Sequence, residues 1–343
     1  SAKLNQDSTT LAEYFRSRGY ATGAFSGNAA WVTPEYMGRG FLRFRVYVLE
    51  DLFRRTALGR KIDKIIEKRG YHSAGRGKKA PQVNREFLEF LDDYPGRPFF
   101  AYLCYMDVNR EMHDRRMNKH ASMPQVLQTY DEALTQLDGH IAALVNELEK
   151  RGLRERTLLV ITSDHGESFG AKQTSDHDPE GHGSSLYREQ SAVPLIVNYP
   201  GKVPAGRISM RAVSLVQIAP TIMELLGWQG TPFVGESLSV AWDQRGDAPD
   251  VEPSVMAEVR HLDGQEIQAS VVRGKWQYLN TPRDFGVLKK KEELFDLSAD
   301  GLAKRNLAEA PEVQPVLTEL RTRLRLFREK GAAASDSLKA ARH

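Results

Sequence analysis

Thr162-Ser163-Asp164-His165-Gly166-Glu167 follows directly on the apolar run Leu158-Leu159-Val160-Ile161. That run has the length and branching of a buried strand. A carboxylate and an imidazole at the carboxyl end of such a strand sit where open α/β sheets hold their ligands. Gly166 allows a sharp backbone turn immediately afterwards, so the two neighbouring side chains can converge on one point. Alone, the hexapeptide fits half of a metal site, and also a strand-to-loop turn whose aspartate caps the next segment.

Downstream lies a second His/Gly cluster, Asp176-His177-Asp178-Pro179-Glu180-Gly181-His182-Gly183, followed by Ser184-Ser185-Leu186-Tyr187-Arg188-Glu189. Val193-Pro194-Leu195-Ile196-Val197 then reads as a further buried strand, closed by the turn pair Pro200-Gly201.

Working outward towards the amino terminus, Thr10 and Glu13 form a capping box, and Gly19 is a natural residue just past a helix end. A strand is predicted at Ala21–Ser26. Residues 39–79 are rich in Arg and Lys, with a helix predicted around Ile62–Lys68 and a solvated basic loop at Ser73–Lys79. A helix at Val83–Leu91 leads into a strand at Phe99–Leu103. In Tyr130–Lys150 the spacing predicts an amphipathic helix facing its core with Leu134, Leu137, Ile141, Leu144, Val145 and Leu148.

Towards the carboxyl terminus, Asp, Gly and Pro cluster in Trp242–Pro253 and mark a boundary. Short antiparallel strands are predicted at Ser254–Val259, Ala269–Val272 and Trp276–Asn280. A helix at Val313–Lys330 turns Leu317, Leu320, Leu324 and Phe327 inward, and the Ala/Ser-rich end from Gly331 to His343 is predicted to fray. Alternating strands and helices argue for a three-layer α/β/α core around a mainly parallel sheet, residues 1–250. Residues 251–343 form a small α+β subdomain of antiparallel sheet and helix.

A chain of 343 residues with 41% hydrophobic content can bury one large core and a smaller satellite. Its net charge of +3 is no nucleic-acid footprint. One cysteine excludes an internal disulfide framework, and Cys104, in an apolar strand, reads as an inert thiol. No stretch reaches the ~20 apolar residues that span a bilayer. Ser1–Gln6 does not read as a signal peptide, and any export signal or anchor would lie upstream.

The order strand, Asp-His-Gly, loop, Gly-His-Gly, short helix, Val-Pro-Leu-Ile-Val closely resembles the sulfatase family of the alkaline-phosphatase-like superfamily. Thr10–Thr22, Pro98–Leu103, Ala219–Gly227 and Glu293–Leu297 with Asp300 and Asn306-Leu307 are similar to further segments of that family. The resemblance implies that Asp164 and His165 ligate a divalent metal, with Ca²⁺ favoured and Mg²⁺ or Mn²⁺ as alternatives. It implies that His182 contacts the anionic group and serves catalysis, with His177 and Asn109 completing the substrate contacts. His177, between two aspartates, also reads as part of a hydrophilic loop, and His182 as a solvated loop histidine. Glu167 resembles a carboxylate supporting the metal ligands, and reads equally as a surface acid.

Family members carry a formylglycine nucleophile in a Cys/Ser-x-Pro-x-Arg motif, with two Asp ligands further upstream; neither occurs here. The chain therefore reads as the larger, downstream part of a sulfatase-like protein, inactive as it stands, with formylglycine expected in the segment it lacks. The family's His after Met-Asp-Pro is Asn109, which donates a hydrogen bond but carries no charge, and its Arg before Val-Pro is Ala192. His113 could compensate for Asn109 but reads first as a solvated loop residue, and His140 as a structural or solvated one.

The expected activity is metal-dependent hydrolysis of a small-molecule or glycan sulfate ester, in a parent protein exported to the periplasm or exterior. The alternatives are a phosphoester or phosphonate hydrolase or a phosphoglycerol/phosphoethanolamine transferase of the same superfamily, and a degenerate homologue that binds anions without turnover.

Overall fold

The computed structural model describes residues 8–29, 32–46, 77–117, 122–169, 181–242, 254–261, 263–286, 288–301 and 303–340. The helix expected at Ile62–Lys68 and most of the basic loop fall outside these residues. The chain divides into two compact units, residues 1–155 and 156–343.

In the first unit, helix α1 (Leu11–Ser17) starts as its sequence predicts. Thr10 Oγ1 accepts the Glu13 N–H at 3.1 Å and Glu13 Oε2 accepts the Thr10 N–H at 2.9 Å. Gly19, at φ 83°, turns the chain into strand β1 (Ala21–Ser26). Short elements α2 (Pro34–Met37) and β2 (Arg43–Arg45) come next, then α3 (Ala80–Asp93), β3 (Phe99–Cys104), α4 (Asp107–Met117) and α5 (Met123–Lys150). The strands form a parallel sheet in the order β2-β1-β3.

All six residues of β1 are buried, and its sequence, Ala-Thr-Gly-Ala-Phe-Ser, carries no charged side chain on either face. On one face Ala21 and Phe25 pack with Phe87, Phe90 and Leu91 of α3 and Leu144 and Leu148 of α5. On the other, Phe15 of α1 stacks on Phe100 of β3 at 4.6 Å. Helices on both faces make this unit the expected three layers. In α5, however, Leu134 is 41% exposed, and Ala133 takes the inward position with Leu144 and Leu148. Residues 133, 144 and 148 recur near whole helical turns, whereas Leu134 lies one step, about 100°, around the helix.

The second unit opens with β4 (Leu159–Thr162), α6 (Arg188–Ser191), β5 (Leu195–Asn198) and α7 (Ile218–Leu225). β4 and β5 pair antiparallel, from Leu159 opposite Asn198 to Thr162 opposite Leu195, where alternation suggested parallel strands. The pairing follows from how the intervening segment closes. It leaves and re-enters the sheet at the same end, and Thr162 Oγ1 donates to the Pro194 carbonyl at 2.8 Å across its base. Val160 and Val197 line a small apolar space with Ile218, Ile222 and Leu225 of α7. The strands are half-buried instead of fully buried, because β5 alternates in and out and leaves Ile196 53% exposed.

Strands β6 (Val255–Arg260), β7 (Glu266–Arg273), β8 (Trp276–Thr281) and β9 (Lys291–Asp296) form an antiparallel meander. Helix α8 (Gln314–Ala340) covers one face, setting Leu317, Leu320 and Leu324 against Ala269, Val271, Tyr278 and Leu294. Phe327, at the margin of that stripe, is 41% exposed. The expected frayed end is helical to Ala340, consistent with the strong helix propensity of Ala332–Ala334.

Strand β9 is not evident from sequence because Lys-Glu-Glu disguises its alternation. Glu293 is in fact buried, accepting from the Tyr187 hydroxyl at 2.7 Å and facing Lys291 Nζ at 3.0 Å. The Asn306-Leu307 pair ties down this strand: Asn306 Oδ1 accepts the Leu294 N–H and the Leu307 N–H donates to the Leu294 carbonyl.

Candidate functional site

The end of β4 is shaped by backbone hydrogen bonds before any ligand is considered. Ser163 Oγ donates to the His165 carbonyl at 2.6 Å, and Asp164 Oδ1 accepts the His165 N–H at 3.2 Å. Gly166 N–H donates to the Gln190 carbonyl at 2.8 Å. A Cβ on Gly166 would lie 2.1 Å from the Glu189 carbonyl oxygen, so only glycine allows this approach.

Ser168 and Gly181 exchange two backbone hydrogen bonds, at 2.9 and 2.8 Å, which bring the second His/Gly cluster beside the first. Gly181 and Gly183 flank His182 at φ 106° and 81°, values that a side chain would strain.

Leu186 is then gripped at both polar backbone atoms. Its N–H donates to Gln268 Oε1 at 2.7 Å, and its carbonyl accepts from Gln277 Nε2 at 3.0 Å. Both glutamines are buried on β7 and β8 and have no counterpart in the sequence-level expectations. Their only signal is a polar residue at the inward position of an otherwise apolar strand.

Asp164 Oδ1 lies 3.8 Å from His165 Nε2, with the aspartate side chain 88% exposed. His165 Nδ1 is 2.8 Å from the Gly166 carbonyl oxygen. A carbonyl only accepts, so Nδ1 carries the proton and Nε2 keeps its lone pair. The His165 and His182 rings stack at 3.8 Å between centroids and 18° between planes. His182 Nδ1 meets Glu167 Oε2 at 2.9 Å, and the glutamate side chain is only 7% exposed. Glu167 is thus a buried partner of His182, not a surface acid. His165, Glu167 and His182 offer donor atoms that all lie within 4.8 Å of one another.

The remaining candidates belong to the first unit or lie outside the described residues. Asn109 is half-buried near the start of α4, in the first unit. There Asp107 accepts the Ala80 N–H through both oxygens, at 3.1 and 3.0 Å, and so anchors the start of α3. Tyr105 donates to Asn84 Oδ1 at 2.6 Å, and burial, with Asp107 nearby, pushes its phenol well up. His177 and the His113 side chain lie outside the described residues. His140 lends its carbonyl to Asn84 Nδ2 at 2.9 Å, a structural part. Cys104, the single cysteine of the sequence, is a half-buried thiol at the end of β3.

With this geometry in view, likeness to known proteins is informative. The Sulfatase family model matches residues 2–228. The chain is 26% identical over 265 residues to an N-acetylgalactosamine-6-O-sulfatase of Bacteroides thetaiotaomicron, covering 69% of this chain and 49% of that protein. It is 26% identical over 225 residues to an ulvan-active sulfatase of Formosa agariphila, covering 55% of this chain and 36% of that protein. It therefore spans about half the length, or less, of these curated relatives.

In fold it is similar to a phosphonate monoester hydrolase from Silicibacter pomeroyi, with TM-score 0.64 and 17% identity over 96% of this chain and 81% of that one. Among the described residues no helix is long and apolar enough to cross a membrane. The matched domain, the α/β architecture and the Asp-His-Gly element at the end of β4 lead to one conclusion: the chain belongs to the sulfatase family of the alkaline-phosphatase-like superfamily.

Proposed function

We propose that the whole protein hydrolyses a sulfate ester, with Asp164 and His165 holding a divalent cation and His182 contacting the sulfate group. The observation that supports this reading best is the 3.8 Å separation of Asp164 Oδ1 and His165 Nε2 at the end of β4. Two donors at that spacing suit one ion, and among the described residues the exposed carboxylate has no Lys or Arg partner.

They supply two ligands where a hard cation such as Ca²⁺ takes roughly six to eight. This chain alone therefore binds such an ion weakly, and further ligands come from elsewhere in the whole protein. When bound, the ion neutralises charge on the transferred group. His182 donates Nδ1–H to Glu167, which fixes its ring; in the protonated ring Nε2–H also donates, to an ester or sulfate oxygen. Asn109, and His177 between its two aspartates, complete the proposed substrate contacts. The curated relatives' names point to sulfated glycans as the substrate class. A phosphonate or phosphoester substrate is the second reading, favoured by the phosphonate monoester hydrolase of similar fold.

The chain as given contains no Cys/Ser-x-Pro-x-Arg motif, and no arylsulfate turnover is expected from it with added Ca²⁺, Mg²⁺ or Mn²⁺. In the full-length protein, Asp164→Ala should remove bound metal and sulfate-ester hydrolysis while leaving thermal unfolding unchanged, since this side chain is 88% exposed. Unaltered metal content in that variant would take Asp164 out of the site. Parallel assays on an aryl sulfate and a phenyl phosphonate separate the two substrate readings.

A further inference from the structure

We propose that His165, Glu167 and His182 form a second, transition-metal site that takes Zn²⁺ directly in this chain, with a water as fourth ligand. The idea starts from the donor set. Two imidazoles and one carboxylate suit a borderline ion such as zinc far better than calcium, which prefers oxygen.

The three donors already lie within 4.8 Å of one another. Tetrahedral donors about 2.1 Å from zinc stand roughly 3.3 Å apart, so closing on the ion draws the donors together and swings the two stacked rings out of parallel until both lone pairs reach it. The Glu167 Oε2 to His182 Nδ1 distance, 2.9 Å, is already as short as neighbouring ligands on one ion stand.

The backbone has done the assembly. Gly166 is fastened to Gln190, Ser168 to Gly181, and Leu186 to Gln268 and Gln277, so both histidines arrive on restrained segments. His165 already donates Nδ1–H to a backbone carbonyl, the support that metal-binding histidines normally have, and its lone pair is on Nε2. Zinc would take the place of the proton between Glu167 and His182 Nδ1, with the ring proton moving to His182 Nε2. Because His165 offers a single lone pair, zinc and the ion proposed at Asp164 compete for one nitrogen. Zinc therefore acts as an inhibitor of that other site.

This proposal does not depend on the hydrolase reading, and substitutions separate the two. Calorimetric titration of the chain as given with ZnCl₂ should show one ion per chain. Glu167→Gln and His182→Ala should each weaken binding about tenfold or more. Asp164→Asn should leave it unchanged. Co²⁺ added to the unaltered chain should give the intense visible bands of a tetrahedral ion, lost in the same two variants. Circular dichroism verifies that each variant is folded, and the cobalt spectrum of the unaltered chain tests the site should one fail to fold. The proposal is overturned by absent zinc binding, by binding indifferent to both Glu167 and His182, or by an octahedral cobalt spectrum. Loss of zinc with Asp164→Asn alone would overturn it too, while sparing the hydrolase reading.

Discussion

At Gly166 the chain turns against the Glu189 carbonyl so closely that a methyl group would sit 2.1 Å from it. The neighbour is backbone, so it cannot step aside as a flexible side chain would. Gly166→Ala should therefore destabilise the chain by about 1–3 kcal/mol, the usual cost of an overpacked site. It should also separate His165 from His182, whose rings stack at 3.8 Å. Urea unfolding measures the first effect and nuclear Overhauser contacts between the two rings measure the second; an unchanged midpoint with intact contacts would refute both. Glycine at this position was legible from sequence as a turn. What it turns against was not, because Glu189 is remote in sequence and reaches it only through the fold.

Among the elements, β7 and β8 do more than close a small sheet. They bury Gln268 and Gln277 where valine or leucine would otherwise be favoured, and each side chain satisfies one atom of the Leu186 backbone. Burying amides is costly unless they are paired, so this arrangement stabilises the sheet only when the site segment is docked. Gln277 even leaves its own Oε1 without a partner among the described residues. Gln268→Leu would strand the Leu186 N–H in a buried position, costing about 1–3 kcal/mol. Amide exchange at Leu186 should then accelerate markedly relative to β6–β9. Equal protection in both chains would show that the glutamine is incidental.

The same reasoning explains why β9 escaped recognition: its glutamates read as exposed, yet Glu293 is buried against the Tyr187 hydroxyl and Lys291. β1, by contrast, was legible residue for residue. A central strand covered on both faces shows itself as a run of uncharged, mostly small residues.

Over the whole molecule, acid sensitivity should concentrate in the carboxyl-terminal sheet. The Lys275 ammonium, 2.6 Å away, together with Ser298, holds the Asp296 carboxyl down to about 2. Arg321 likewise holds Glu292 below its usual range. A carboxyl lowered by folding stabilises the fold above its unfolded pKa, near 3.9 for aspartate, and this is lost as pH falls towards the folded value. Unfolding free energy should therefore drop between pH ~4 and ~2, and Asp296→Asn should flatten that slope. High salt should weaken the effect, because Lys275 is half exposed.

What the sequence determined by itself was the layered α/β class and the Asp-His-Gly element, whose likeness to the sulfatase motif carried the family, because hydrophobic period and glycine placement are local properties of the chain. What only the tertiary structure decided was which side chains meet. The antiparallel closure of β4 on β5, the burial of Glu167 under His182, and the glutamine grip on Leu186 all join residues distant along the chain. Their partners are set by packing, which no local pattern encodes.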